Sequence, residues 1–102
     1  MTGRAFTIQI RPGTEEEYKR RHVDVWPEIK ANIKKHGFFN YSIYLNGTTL
    51  FAYMEHDGDF DASFAAMQAE PIAAQWRNHM SDIIIRDENM GFRFLERVFR
   101  VD

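Results

Sequence analysis

The stretch FFNYSIYLNGTTLFAYMEH, residues 38–56, decides the fold of this chain. Asn46-Gly47 lies near its centre, and this dipeptide is the strongest short-range signal for a two-residue hairpin turn. The runs on either side, 38–45 and 49–56, are rich in aromatic and β-branched residues, which favour strands. The stretch therefore predicts a β-hairpin in the middle of the chain.

The predicted hairpin strands carry apolar residues on both of their faces. Leu50 and Ala52 alternate with Phe51 and Tyr53, whereas a sheet with helices on one face and water on the other should alternate apolar with polar. The chain has no spare element to cover the second face. We therefore expect a homodimer that packs through its open sheet faces or edges. The alternative is that these aromatic residues are scattered over the surface.

The segment before the hairpin has a helical pattern. Thr14 followed by Glu17 predicts a capping box, and the acidic run 15–17 suits the positive end of a helix dipole. Pro27 predicts a kink or a brief break, because proline disfavours helical geometry in the residue before it. The helix then resumes and continues to Lys35.

The segment after the hairpin completes the fold. A short helix is predicted over 60–69 and a second over 71–85, followed by a loop over 86–91. Alternating residues predict strands at both ends of the chain, over 4–10 and 92–101. The order β-α-β-β-α-β is the ferredoxin-like pattern of the α+β class, an antiparallel sheet with helices on one face.

Composition limits the classes of function. The 102 residues have the size of a single domain, residues 1–102. Thirteen basic and fifteen acidic residues give a net charge of −2, which argues against nucleic-acid binding, and the triplet Lys19-Arg20-Arg21 indicates a solvated helix face. There is no cysteine, no signal-peptide pattern and no run near the ~18 apolar residues of a membrane span. We expect a soluble cytoplasmic protein with no membrane or nucleic-acid partner.

One helical stripe combines aromatic bodies with polar atoms. Tyr18, His22 and Trp26 recur at intervals of four, so they lie above one another on one helix face. Each carries a polar atom that requires a partner when buried, and this mixture is typical of sugar sites. His22 is the best acid–base candidate because its ordinary pKa is about 6.5. The alternative is a partly buried histidine with a structural hydrogen bond.

Further candidate residues lie on the predicted hairpin and the later helix. Tyr41 is expected to face the first helix, whereas Tyr44 has the opposite parity. Trp76 shares a helix face with His79 and Met80. Each aromatic residue has a plain alternative as a core side chain. The four histidines fall on different elements without metal-binding spacing, so no metal site is expected.

The chain resembles the L-rhamnose mutarotase family over nearly its whole length. The matching segments are Glu17-Tyr18-x-x-Arg21-His22-x-x-x-Trp26-Pro27-Glu28, His36-Gly37-x-x-Asn40-Tyr41-x-Ile43-Tyr44-Leu45, Leu50-Phe51-Ala52, Gln75-Trp76-x-x-x-Met80-x-Asp82-Ile83 and Val98-Phe99. The first two segments together are the specific part of the match.

The resemblance implies a dimeric α+β barrel that interconverts the α and β anomers of a 6-deoxy sugar without a cofactor. Carried over by position, His22 would be the catalytic proton donor, and Tyr18, Tyr41 and Trp76 would contact the monosaccharide. Trp26 precedes the predicted break, and we expect it to shape the pocket instead of touching the sugar.

The chain also departs from the family pattern. Phe64 stands where the family usually has a second tryptophan, Trp76-Arg77 replaces Trp-Trp, and residues 86–91 replace an Asn-Pro-Asp-Asn-Ser-Pro loop. Arg77 would add a donor for a sugar hydroxyl. These changes keep L-fucose open as a competing substrate.

Three further classes of function stay open at the level of sequence. The first is a dimeric α+β barrel oxygenase, in which His22 would be a candidate haem ligand. The second is a non-catalytic ligand-binding module. The third is an RNA-binding domain, because the strand and helix order also fits that class, although the acidic balance disfavours it.

Overall fold

The computed structural model describes residues 1–102 and contains four strands and four helices. In chain order they are β1 (Thr2–Gln9), α1 (Glu15–Val23), α2 (Pro27–Lys35), β2 (Phe38–Asn46), β3 (Thr49–His56), α3 (Phe60–Ala69), α4 (Pro71–His79) and β4 (Arg93–Phe94). The sheet is antiparallel in the order β2-β3-β1-β4. The predicted α+β, ferredoxin-like arrangement is confirmed, and no helix is long and apolar enough to cross a membrane.

The predicted central hairpin forms, with Gly47 and Thr48 as its two turn residues, one position later than Asn46-Gly47 indicates. Asn46 pairs with Thr49 and Tyr44 with Phe51, and Gly47 adopts a φ of 63° in the turn, a conformation that costs glycine little. Because side chains alternate along a strand, every second residue of β3 from Leu50 onward faces the helices. These inward residues are buried, and they form one layer of the core.

The second helical region ends earlier than the sequence predicts. Helix α4 ends at His79, not near residue 85. Beyond it the chain turns so that Ile83 and Ile84 are buried in the core, and Ile84 forms an isolated β-bridge with Ile10. The tertiary burial of these β-branched residues outweighs continuation of the helix.

The last predicted strand is also much shorter than expected. Only Arg93–Phe94 pairs as a strand, although the Leu95 N–H still donates to the Ala5 carbonyl. Phe94 is opposite Phe6, so an antiparallel partner would reach the start of β1 within a few residues. Pairing nevertheless stops at Leu95, and the apolar residues that follow, Val98, Phe99 and Val101, stay exposed because they pack on nothing within this chain.

The predicted capping box at Thr14 is wrong. The Thr14 hydroxyl donates backwards to the Arg11 carbonyl at 2.6 Å and caps no helical N–H. Glu17 instead accepts hydrogen bonds from Arg20 and Arg21. The acidic first turn of α1 is therefore held by charge pairs along the helix and not by a side-chain cap.

The basic triplet on α1 divides into two environments. Lys19 and Arg20 pair with acidic residues of their own helix at the surface, as predicted. Arg21 is different, since its side chain is only 15% exposed. It donates to both carboxylate oxygens of Asp82, at 2.9 and 3.0 Å, and to the His79 carbonyl at 2.9 Å. These hydrogen bonds of the Arg21 guanidinium connect α1 to the segment after α4 and hold the two at a fixed distance.

Candidate functional site

A cavity of about 460 Å³ lies between the helices and the inward face of the sheet. This volume is within the range of small-molecule sites. Hydrophobic residues make up 16 of the 24 that line it, and the remainder are polar or basic. The lining includes all five residues that the sequence nominated for substrate chemistry: Tyr18, His22, Tyr41, Trp76 and Arg77.

Tyr18 and His22 form a stacked pair on one wall of the cavity. Their ring centroids are 4.0 Å apart and the ring planes differ by 20°. His22 Nδ1 lies 3.0 Å from the Tyr18 carbonyl oxygen. Since a carbonyl can only accept, Nδ1 carries the hydrogen and Nε2 remains available for proton exchange. Burial lowers the pKa of His22, against the opposing effect of this hydrogen bond, so the neutral ring is favoured.

Trp26, Trp76 and His79 form a cluster of packed rings beside this pair. Trp76 lies edge-on to His22 at a centroid distance of 5.6 Å and lines the cavity. Trp26 contacts Trp76 at 4.9 Å and His79 at 5.0 Å but does not belong to the lining. The Trp26 ring therefore supports Trp76 from behind, because aromatic pairs at these distances pack favourably.

Tyr41 reaches the cavity from the sheet through an irregularity in β2. The pairing register with β3 shifts between Phe39 and Ser42, and Asn40 adopts a φ of 49°. The Asn40 amide donates to Glu55 at 2.6 Å, which holds this bulge. The bulge lets Phe38 and Tyr41, three residues apart, both face the core, and from Tyr41 onward the strand alternates regularly, with Ile43 and Leu45 on the same face.

Both cavity tyrosines remain protonated near neutral pH. Burial raises the pKa of Tyr41 to about 12 and raises the pKa of Tyr18 well above its ordinary value. Neither phenol hydroxyl has a hydrogen-bond partner within the chain. Two O–H donors are thus presented to the cavity without being committed to the protein.

Arg77 and Phe64 form the wall on the side of α3. Arg77 donates to the Gln68 backbone carbonyl at 3.1 Å and to the Gln68 side-chain oxygen at 2.7 Å. Phe64 packs edge-on against Phe92 at 5.2 Å. Both residues line the cavity, so two of the departures from the family pattern lie on the wall of this site.

Sequence reasoning missed one residue of the site, Arg86. Its side chain is half-buried and lines the cavity. Burial lowers the pKa of Arg86, as does the charge of Arg77, and the Arg86 guanidinium in turn acts to lower the pKa values of Tyr18 and Tyr41. Two signals in the sequence bore on Arg86: it is a basic residue after an apolar triplet, and it opens the 86–91 segment that departs from the family loop. Neither assigned it a role in the site.

No group of three or more histidine, cysteine, aspartate or glutamate side chains is arranged to hold a metal ion. The ionisable groups that line the cavity are one imidazole, two phenols, two guanidinium groups and the ammonium groups of Lys30 and Lys34. These are proton donors and acceptors suited to polar, hydroxyl-bearing ligands.

Comparison with known proteins gives consistent results. The model of a family described as L-rhamnose mutarotase matches residues 4–101. A protein named L-rhamnose mutarotase from Tolumonas auensis is 40% identical over 86 residues, covering 82% of this chain and 81% of that protein. Another of the same name from Flavobacterium johnsoniae is 37% identical over 102 residues, covering 96% and 94%.

Solved structures agree with the sequence matches. The crystal structure of an L-rhamnose mutarotase from Formosa agariphila superposes with a TM-score of 0.85 at 29% identity, and the match covers 100% of both chains. A Pseudomonas aeruginosa protein superposes with a TM-score of 0.59 at 15% identity, covering 95% and 93%. The second match shows a shared fold alone.

Proposed function

Because the chain belongs to the L-rhamnose mutarotase family, we propose that it interconverts the α and β anomers of L-rhamnose in the cavity described above. The observation that carries the proposal is the stacked His22–Tyr18 pair, which faces the same cavity as Tyr41 and Trp76. The enzyme is then an isomerase that needs only acid–base groups. Its location in the cytoplasm stays a prediction from the sequence.

The reaction requires two proton transfers and one reversible bond cleavage. The anomeric hydroxyl loses its proton, C1 forms a carbonyl, the bond between C1 and the ring oxygen breaks, and the ring oxygen gains a proton. Rotation about C1–C2 exposes the other carbonyl face. The same steps in reverse then close the ring as the other anomer, so no atom or electron is gained or lost.

His22 is proposed to exchange the proton of the anomeric hydroxyl. Burial favours its neutral form, and its Nδ1–H is committed to the Tyr18 carbonyl. Nε2 is therefore the basic atom that accepts the proton during ring opening and returns it during closure. The family resemblance implies that His22 is a proton donor. Because the reaction is reversible, His22 accepts the proton during ring opening and donates it during ring closure.

The phenols of Tyr18 and Tyr41 are proposed to supply the complementary donor for the ring oxygen. Their raised pKa values keep them protonated, so the phenol beside the ring oxygen passes its proton to the developing alkoxide during opening and takes it back during closure. The phenolate formed in between is balanced by the imidazolium of His22. Trp76 and the apolar wall are proposed to pack against the C–H face and the methyl group of the sugar.

Anomeric exchange measured by NMR saturation transfer tests this function. We expect the protein to accelerate exchange of L-rhamnose more than that of L-fucose or D-glucose. The relatives are named for L-rhamnose, so L-fucose is not favoured over it. Exchange of all three sugars at the uncatalysed rate would refute the proposal.

The pH dependence of catalysis reports the form of His22 that is required. Burial lowers its pKa, so we expect kcat/KM to be constant near neutrality. It should fall on the acid side with a midpoint below about 6.5, the ordinary histidine value. Exchange rates from about pH 4.5 to 8, corrected for the uncatalysed rate, check this. A rate that rises as pH falls would instead require His22 to begin as the charged acid.

The open face of the sheet supports a homodimer. Tyr44 and Phe51 are paired neighbours on the face away from the helices and are 68% and 41% exposed. Val98, Phe99 and Val101 in the terminal segment are also exposed. We propose that a second copy covers these apolar side chains to form the dimeric α+β barrel, since water-exposed apolar patches of this kind mark interaction surfaces.

Light scattering after size-exclusion chromatography tests the dimer. We expect twice the chain mass for the unmodified protein and a shift toward the single-chain mass for Phe51→Asp, because the new charge would be buried in the interface. Lys19→Asp changes charge on an exposed helix face and should leave the mass unchanged. A single-chain mass for the unmodified protein at all concentrations would contradict the proposal.

A further inference from the structure

The charge lining the cavity is one-sided. Among its 24 lining residues there is no aspartate or glutamate, whereas Lys30, Lys34, Arg77 and Arg86 all contribute. The chain as a whole has a net charge of −2, so this basic lining does not follow from composition. A concave surface of one sign attracts ligands of the opposite sign.

Arg86 is a half-buried cation without an ion pair, and the other basic lining residues, Lys30, Lys34 and Arg77, form none either. Asp87 and Glu88 follow it in sequence, yet Arg86 pairs with neither. The Asp87 carboxylate accepts from the backbone N–H groups of Asn89 and Gly91 and contacts Arg93. By contrast, Arg21 forms ion pairs with two carboxylates. Burying half of a guanidinium without an anion costs free energy of desolvation. A ligand that brings an anion to Arg86 would recover part of this cost.

One nitrogen of the Arg86 guanidinium, Nη2, is available to a ligand. Its Nη1 donates to the Met90 carbonyl at 2.7 Å. Its Nε is sealed from water and has no hydrogen-bond partner within the chain. Nη2 makes no hydrogen bond within the chain and is not sealed from water, so it is the donor that remains for a ligand carboxylate.

We propose that the cavity also accepts a hexuronate, a sugar with a carboxylate at C6, and that Arg86 is the residue that selects it. The proposal rests on the mutarotase function proposed above, because it places the sugar in the same site. Arg77 is held by Gln68 and adds a second positive charge at the same wall. The 6-deoxy position of L-rhamnose and the carboxylate of a hexuronate are the same carbon, so the ring-opening chemistry is unchanged.

A series of sugars that differ only at C6 tests this inference. L-rhamnose, L-mannose, L-mannuronate and L-mannuronamide share one ring stereochemistry and carry methyl, hydroxymethyl, carboxylate and neutral amide groups. We expect the unmodified protein to exchange L-mannuronate with a kcat/KM about tenfold or more above that of L-mannuronamide. The advantage should shrink as salt is raised, since the attraction is between charges.

Variants of Arg86 assign the effect to this residue. We expect Arg86→Gln to lower kcat/KM for L-mannuronate about tenfold more than for L-mannuronamide. Arg86→Lys should have an intermediate effect, because it keeps the charge but not the position of the Nη2 donor. Lys19→Gln removes an exposed charge outside the cavity and should keep the ratio. An equal loss for both sugars would show that Arg86 only anchors its loop, and would overturn the inference.

The outcomes separate this inference from the proposed function. Exchange of L-rhamnose without preference for L-mannuronate over its amide would overturn the hexuronate proposal alone. If no sugar is exchanged, the mutarotase function fails, and binding of L-mannuronate against L-mannuronamide by ligand-observed NMR still decides the inference. If Arg86→Gln does not fold by circular dichroism, the carboxylate-to-amide ratio of the unmodified protein decides it.

Discussion

Replacing His22 with alanine is expected to lower the catalysed rate of anomeric exchange by about 10²–10⁴-fold, the usual contribution of one general acid–base group. The neutral imidazole is the one group in the cavity that accepts a proton near neutral pH, because both phenols have raised pKa values. Loss of Nε2 therefore removes the acceptor for the anomeric proton. Saturation-transfer NMR on L-rhamnose measures the effect directly.

Two further variants show whether the lower exchange rate comes from loss of proton transfer at His22 or from a disturbed structure. His22→Asn keeps a side-chain N–H at the position of Nδ1 for the Tyr18 carbonyl but has no titrating nitrogen, so it should be nearly as slow as His22→Ala. His36→Ala is the matched control. His36 pairs with Glu70 and is absent from the cavity lining, and its loss should change exchange by less than about threefold. Near-normal exchange by folded His22→Ala would remove His22 from the mechanism.

The elements that the sequence predicts well are those specified by local signals. The Asn46-Gly47 signal and Pro27 each act over a few residues, and both the hairpin and the helix break occur within one position of where they indicate. The end of α4 depends instead on tertiary burial of Ile83 and Ile84. Nothing in the local pattern distinguishes a helix that continues from a turn that buries the same apolar residues.

The same distinction applies to the site. Spacing within one helix was enough to join Tyr18 to His22, and strand parity was enough to turn Tyr41 inward. Arg86 could not be found this way, because its place at the cavity depends on how the loop after Ile85 returns to β4. Its lack of an anion partner depends on where the Asp87 carboxylate points. Both are properties of the folded chain and have no periodicity in the sequence.

Replacing Phe6 with alanine is expected to destabilise the protein by about 3–5 kcal/mol, the range for a fully buried phenylalanine. Phe6 is 0% exposed and lies at the centre of the sheet on β1. Its ring packs against Phe94 and Phe92 at centroid distances of 5.2 and 5.4 Å, and against Phe64 and Tyr41 at 6.2 and 6.4 Å. Truncation therefore removes one ring from four aromatic contacts at once.

Urea unfolding at a fixed protein concentration measures this loss, since a dimer makes the midpoint depend on concentration. Phe6→Leu is the matched control, because it keeps most of the buried volume and should cost less than about 1.5 kcal/mol. A loss below about 1 kcal/mol for Phe6→Ala would mean that the surrounding rings close the space. Because Tyr41 and Phe64 pack against Phe6 and also line the cavity, that closure would narrow the cavity in which we propose that the sugar binds. The folded fraction of Phe6→Ala should then lose affinity for L-rhamnose even where its stability survives.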